Sequence, residues 1–209
     1  MQVGDNLLNL YITRHGETIW NKEGRLQGWK NSPLTEKGVM QGKMLKKAVV
    51  EYGIARVYSS PSERAALTAR FAVEGLDIPI IFMEELKEMN MGDWEGRTLE
   101  EIQNEETENF ENYWTDPFKF KKNTGEDFSD ILNRARRAID RITSENKDSN
   151  ILIVTHGVTL KALMSFFAEG GFIEYWKTPV VKQTSISLVK FDDDNTGRIV
   201  MYGDTSHHI

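Results

Sequence analysis

The sequence predicts an α/β fold, a three-layer sandwich in which helices flank a mostly parallel central sheet with one antiparallel edge strand, with a small helical lid insertion. Three observations lead there. Short, β-branched apolar runs alternate with helix-period segments, the arrangement that builds parallel sheets covered on both faces. Two of these runs, Leu8-Asn9-Leu10-Tyr11-Ile12-Thr13-Arg14-His15-Gly16 and Ile151-Leu152-Ile153-Val154-Thr155-His156-Gly157, end in His-Gly. Each reads as a buried strand that delivers a histidine to the carboxyl edge of a sheet, where open α/β sheets bind ligands. Finally, the runs at 185–191 and 199–202 are joined by Asp192-Asp193-Asp194-Asn195-Thr196-Gly197, the composition of a turn, which predicts a hairpin and hence an antiparallel strand.

The bulk properties narrow the function. A chain of 209 residues that is 39% hydrophobic has material for one sizeable core, so a single domain over 1–209 is expected, with the lid at about 97–125. The net charge of −6 argues against general attraction to nucleic acid or anionic membrane, so any anionic ligand must be held by a local cluster. The absence of cysteine excludes disulfides, thiolate metal sites and cysteine nucleophiles. No apolar run approaches the roughly 18 residues of a membrane span, and the N-terminus lacks a basic segment followed by an apolar one. The expectation is a cytoplasmic protein.

After the first strand, residues 16–34 hold Gly16, Gly24, Gly28 and Pro33 without periodicity and read as an extended loop over the sheet edge. Thr35 is a predicted N-cap, with Val39, Met40, Leu45 and Val49 as an apolar face and Gly53 as the stop. A second short strand spans 54–59. The serines of Ser59-Ser60-Pro61-Ser62 then offer caps for a helix over 63–74. Arg64 falls in the first turn of that helix, where the dipole disfavours a cation, which marks it for function. A third strand is expected at 78–83, followed by a loop ending in Gly92-Asp93-Trp94-Glu95-Gly96. Residues 99–122 show a weak helical pattern broken at Asp116-Pro117, read as the lid. The clearest amphipathic helix, 127–145, carries Ile131, Leu132, Ala135, Ala138, Ile139 and Ile142 on one stripe. The second His-Gly strand and a helix over 159–168 follow.

Three readings compete for His15 and His156. They are hydrogen-bonded loop residues; or they bind a metal together with Glu17 or Glu88, a set that the adjacent Arg14 opposes; or they transfer phosphoryl groups. In the third, His15 attacks phosphorus while Arg14, Arg64 and His156 hold the equatorial oxygens, because that transition state spreads negative charge over three oxygens. Arginine forks suit the task.

The ordered set Arg14-His15-Gly16-Glu17-Thr18, Asn21, Gln27-Gly28, Leu34-Thr35-Glu36-Lys37-Gly38, Ser59-Ser60-Pro61-Ser62-Glu63-Arg64-Ala65, Gly92-Asp93-Trp94-Glu95-Gly96, Thr155-His156-Gly157 and the tail Gly203-Asp204-Thr205-Ser206-His207 resembles the histidine phosphatase superfamily, the phosphoglycerate mutase-like family. The resemblance implies that His15 becomes a phosphohistidine, that Arg14, Arg64 and His156 complete the phosphate pocket with Asn21 and Gln27 at its rim, and that no metal takes part. It further implies that Glu88 protonates the leaving alkoxide, helped to stay partly protonated by the bound phosphate. A nucleophilic imidazole must be neutral, its second nitrogen fixed by a hydrogen bond, whereas His156 could be cationic and act as a donor. Glu17 is expected to hold the loop by pairing with arginine or backbone donors, and Glu95 to organise the turn. Pro61-Ser62 departs from the Asp-Leu of many relatives.

The resemblance leaves the reaction open. Mutases of this family tend to carry extra arginines in the insertion, and none lies between Arg97 and Arg134 here; Trp114, Phe118, Lys119, Lys121 and Lys122 stand in that stretch instead. The expectation is a phosphomonoester phosphatase acting on small phosphorylated metabolites without a cofactor. The alternatives are a phosphoglycerate mutase dependent on 2,3-bisphosphoglycerate and a non-catalytic phosphate-ligand-binding protein. His207 and His208 are expected to pack near the last strand.

Overall fold

The computed structural model describes residues 7–122 and 124–208. Positions 1–6, 123 and 209, which fall in the predicted domain span and, for 123, in the predicted lid, lie outside the described residues. A six-stranded sheet with the order β3-β2-β4-β1-β5-β6 is formed by β1 (Asn9–Arg14), β2 (Arg56–Ser59), β3 (Ile80–Phe82), β4 (Asn150–Thr155), β5 (Ile186–Phe191) and β6 (Gly197–Asp204). β1 to β4 run parallel, and β5 is antiparallel to both neighbours. The predicted fold class therefore stands. The strand that runs against the others sits one place in from the edge, with β6 outside it.

The alternation in β1 and β4 builds the two apolar layers. Leu10, Ile12, Ile151 and Ile153 face one cluster, together with α6 (Phe128–Glu145), α7 (Gly157–Ser165) and the aromatic side chains of the lid segment. Tyr11, Leu152 and Val154 face the other, with α2 (Glu36–Glu51) and α3 (Glu63–Ala72). Successive side chains change face, as period two requires. The strand and helix ends differ by a few residues from those expected, within the fraying of element boundaries.

Some local expectations fail for identifiable reasons. The loop after β1 contains one helical turn, α1 (Ile19–Lys22), because Thr18 and Asn21 form a reciprocal capping box. Thr35 caps α2 through Gly38 N–H as predicted, but Met40 is exposed and the buried face is Gly38, Gln41, Gly42, Leu45, Ala48 and Val49. Ser62 makes no side-chain cap for α3. Instead Ser60 Oγ accepts the Ser62 N–H. α8 (Gly171–Trp176) has no counterpart in the sequence reading, since its six residues begin at the second glycine of Gly170-Gly171, both at positive φ.

The lid segment holds α4 (Leu99–Glu105) and α5 (Thr107–Thr115). Tyr113 is only 2% exposed and packs against Trp94, Phe120, Phe128 and Trp176, so this segment is joined to the main core. Edge-to-face pairs of this kind add to the area they bury.

Candidate active site

The ladder between β1 and β4 sets the site. Arg14 pairs in register with Thr155, and His15 N–H donates to Thr155 O at 2.9 Å, so His15 and His156 leave adjacent strands at the same level. Their rings lie 5.1 Å apart. β2 lies on the far side of β4, and its next residue, Ser60, meets His156: Ser60 Oγ and His156 Nε2 are 2.8 Å apart. Because Ser60 Oγ already accepts the Ser62 N–H, its own proton is available for Nε2. With Ser60 as the donor, the proton of a neutral His156 is on Nδ1.

His15 is buried, and its Nδ1 lies 2.7 Å from Gly16 O. A carbonyl only accepts, so Nδ1 carries the proton and Nε2 is bare. Burial, then Arg64 and Arg14, hold His15 well below the ordinary imidazole value, with the Gly16 bond pulling the other way. Burial, Arg64 and His15 do the same to His156. The cationic His156 considered from sequence is thus corrected: desolvation beside two guanidinia keeps the ring neutral, and it donates through Nδ1–H.

Arg14 donates through Nη1 to Val181 O at 3.2 Å. Arg64 is 1% exposed, and its Nη1 and Nη2 donate to Lys30 O (3.0 Å) and Gly28 O (2.7 Å). Burial pushes the Arg64 guanidinium down to about 10. The Nε atoms of Arg14 and Arg64 and Nδ1 of His156 are buried without a hydrogen-bond partner, as is Oε1 of Gln27. Unpaired buried nitrogens of this kind can donate to an oxyanion, and a bare imidazole nitrogen can act as a nucleophile.

These residues open onto a cleft of about 630 Å³, its mouth included. Arg14, His15, Asn21, Gln27, Arg64 and Glu88 line it, so the structure brings these predicted site residues together; His156 is not among the lining residues, and its ring lies 5.1 Å from that of His15. Asn21 also uses its Oδ1 to accept the Thr18 N–H. Glu88 Oε1 accepts from Met89 N, Thr159 N and Thr159 Oγ1, and Oε2 from Val158 N, so its carboxyl group caps α7. Gly157 lies against both groups: a Cβ there would make ordinary contact, 3.7 Å from Glu88 Oε2 and 3.8 Å from Arg14 Nε.

Two other acids hold loops. Glu17 pairs with Lys37 and Thr35, and with no arginine among the described residues. Glu95 accepts from the backbone N–H groups of Trp29, Lys30 and Met91, tying the Gly92–Trp94 turn to the loop whose carbonyls hold Arg64.

The lid lysines are not at the cleft. Lys119 pairs with Asp116 and Lys122 with Asp130, while Lys119 and Lys121 face a separate surface hollow. Phe118 packs on Phe172 and lies outside the cleft lining. Trp114 does line the cleft, beside Tyr113 and Trp176. Sequence reasoning missed Arg25, which donates to Gly96 O, and Lys161, a buried cation bonded to Trp176 O and Thr178 O and pushed down to about 8 by burial. Lys161 was findable, since it lies one helical turn beyond Gly157 on the same face. Among the described residues no group of three His, Cys, Asp or Glu side chains could hold a metal ion, and no helix is long and apolar enough to cross a membrane. His207 is buried and His208 Nε2 meets Thr184 Oγ1 at 2.7 Å, next to the start of β5.

The sequence model of the histidine phosphatase superfamily (branch 1) matches residues 10–205. The chain is 37% identical over 158 residues to the adenosylcobalamin/alpha-ribazole phosphatase of Salmonella typhimurium, covering 76% of this chain and 78% of that one. It is 35% identical over 160 residues to a probable phosphoglycerate mutase GpmB of Erwinia tasmaniensis, covering 76% and 74%. The solved structure of YhfR from Bacillus stearothermophilus superposes with a TM-score of 0.91 at 40% identity, covering 97% of this chain and 100% of that one.

Proposed function

The chain belongs to the histidine phosphatase superfamily, and from that premise we propose that it hydrolyses phosphomonoesters of small metabolites through a phosphohistidine at His15. The observation that carries this reading is the His15 Nδ1 to Gly16 O hydrogen bond, which leaves Nε2 bare and neutral beside the unpaired donors of Arg14, Arg64 and His156.

The chemistry follows from these positions. The phosphoryl oxygens bind Arg14, Arg64 and His156 Nδ1–H, with Asn21 and Gln27 at the rim, and His15 Nε2 attacks phosphorus in line with the ester oxygen. Glu88 gives its proton to that oxygen as the P–O bond breaks. The Glu88 carboxylate then takes a proton from water, which attacks the phosphohistidine and releases inorganic phosphate. Fixed donors stabilise the charge that develops, without reorganisation at the moment of reaction.

The cleft walls favour hydrolysis over a mutase cycle. Beyond the phosphate end, Leu26, Met91, Tyr113, Trp114, Val158 and Trp176 line the cleft, a surface that suits an apolar or aromatic alcohol portion. The lid brings aromatic rings to the cleft and keeps its lysines elsewhere. The reading requires neither a metal nor 2,3-bisphosphoglycerate.

Trapping of labelled phosphate by an alkaline detergent quench tests it, with EDTA in the buffer. Wild-type protein given a labelled phosphomonoester should carry one acid-labile phosphate, and His15→Ala should carry none while keeping its fold. Absence of label on the wild type, or turnover abolished by the chelator, would sink the proposal. Isomerisation of 3-phosphoglycerate that depends on added 2,3-bisphosphoglycerate and outpaces phosphate release would assign the mutase reaction.

A further inference from the structure

Arg134 lies on α6, outside the cleft, and is 6% exposed. Its Nε and Nη2 form a two-pronged pair with Glu126, at 2.7 and 2.9 Å. The remaining donors reach one stretch of backbone: Nη1 donates to Glu85 O (2.9 Å) and Lys87 O (2.6 Å), and Nη2 donates to Glu88 O (2.8 Å). Glu126 closes the grip, since its Oε2 accepts the Asn90 N–H and its backbone N–H donates to Asn90 O, each at 2.8 Å. Residues 85–90, a segment outside both the sheet and the α-helices, are thus held by this ion pair together with Thr155 Oγ1 on Leu86 O, Thr159 Oγ1 on Lys87 O and Trp29 Nε1 on Glu88 O.

A pair buried this deeply is seldom worth more to stability than apolar side chains of the same size. Apolar side chains cannot supply donors to these three carbonyls, of which Lys87 O and Glu88 O have one other side-chain donor each and Glu85 O has Arg134 alone among the described residues. The middle of the gripped segment is Glu88, whose carboxyl group spans to the start of α7. We propose that Arg134, fixed by Glu126, is the positioning residue of the Glu88 carboxyl group: it sets the backbone from which that group reaches the leaving oxygen. The inference rests on Glu88 as the proton donor. Proton transfer tolerates little misplacement, about 1 Å being enough to cost roughly 100-fold.

In the step concerned, the N–P bond to His15 forms, the P–O bond breaks and the Glu88 proton moves to the departing oxygen. An alkoxide needs that proton, whereas 4-nitrophenolate leaves without it. The test compares kcat/KM for n-butyl phosphate and 4-nitrophenyl phosphate in wild type, Glu88→Gln, Arg134→Lys and the double variant Arg134→Met/Glu126→Leu. The double variant replaces the pair by apolar groups and guards against misfolding of the single one. Glu88→Gln and both Arg134 variants should lose on the order of 100-fold on the butyl ester and only a few-fold on the nitrophenyl ester. Selective loss in Glu88→Gln, with equal losses on both esters in the Arg134 variants, would overturn the positioning role alone. An unselective Glu88→Gln would overturn Glu88 as the acid and this inference with it.

Discussion

Arg64→Met is the substitution whose effect on stability and on ligand binding should diverge most. Burial pushes the Arg64 guanidinium down to about 10, and that fall from its ordinary value makes the charge cost ~3 kcal/mol, at about 1.4 kcal/mol per pH unit. The group stays charged below about 10, so the whole cost is present at neutrality and is relieved only above that pH. Against it stand the bonds to Lys30 O and Gly28 O, worth about 1.5 to 3 kcal/mol each as hydrogen bonds from a charged group. Methionine fills the stem's space, gives up both bonds and removes the charge. The opposing contributions cancel to within a few kcal/mol, and at roughly 2 to 4 °C per kcal/mol the melting temperature should fall by less than about 10 °C. Function should not survive. Inorganic phosphate at 100 times its Kd should stabilise the wild type by about 2.7 kcal/mol, and the variant not at all at the same concentration. Its kcat/KM should drop on the order of 100- to 1,000-fold. Thermal unfolding with and without phosphate, followed by steady-state assays, measures all three. A variant that phosphate still protects as it does the wild type would refute the clamp assigned to Arg64; one that no longer folds would refute the balance of charge and hydrogen bonds.

Three further outcomes follow from the same structure. His15 and His156 are both held well below 6.5, so the acid limb of kcat/KM that reports the nucleophile should lie below pH 6.5, and a limb at or above that value would contradict a desolvated neutral His15. His207 is pushed down to about 4, first by burial and then by His208. The unfolded chain therefore takes up a proton near pH 6.5 that the native chain refuses until about pH 4, so stability present above 6.5 is lost as pH falls through that window, by up to ~3 kcal/mol. Urea midpoints against pH should flatten in His207→Leu. Gly28→Ala should cost at least about 2 kcal/mol, since Gly28 has φ +55° and a Cβ would fall 2.1 Å from Glu95 Oε1. Gly24→Ala is the control: at φ +67° with nothing within 4 Å, it bears the backbone term alone. Equal melting temperatures for the two variants would show that the Glu95 contact is not rigid.

The end of the cleft that holds Arg14, His15 and Arg64 was legible because its residues sit next to strong local signals. His15 and His156 terminate apolar strands of clear period, and Arg64 stands at a helix start where a cation is out of place. The parallel register that brings the histidines together also follows, since β1 and β4 bury the same alternating faces. What stayed hidden depends on contacts distant in sequence. Arg134 lies 46 residues from Glu88 and reads as one more charge on an amphipathic helix. The basic aromatic run 118–122 read as a cationic lid, but the acids that neutralise its lysines, Asp116 and Asp130, lie just outside it. Ser60 read as a helix cap, whereas its partner is a histidine 96 residues away.

The hydrogen bonds from Val158 N–H and Thr159 N–H to Glu88 give this protein an internal gauge. A cap that gains or loses a proton changes how strongly it holds those two amides. Their proton chemical shifts and solvent-exchange rates will therefore follow the charge on Glu88 through each stage of a reaction, without a label attached to the carboxyl group itself. The helix that begins beside the site doubles as its readout, visible to magnetic resonance in a chain that is otherwise unmodified.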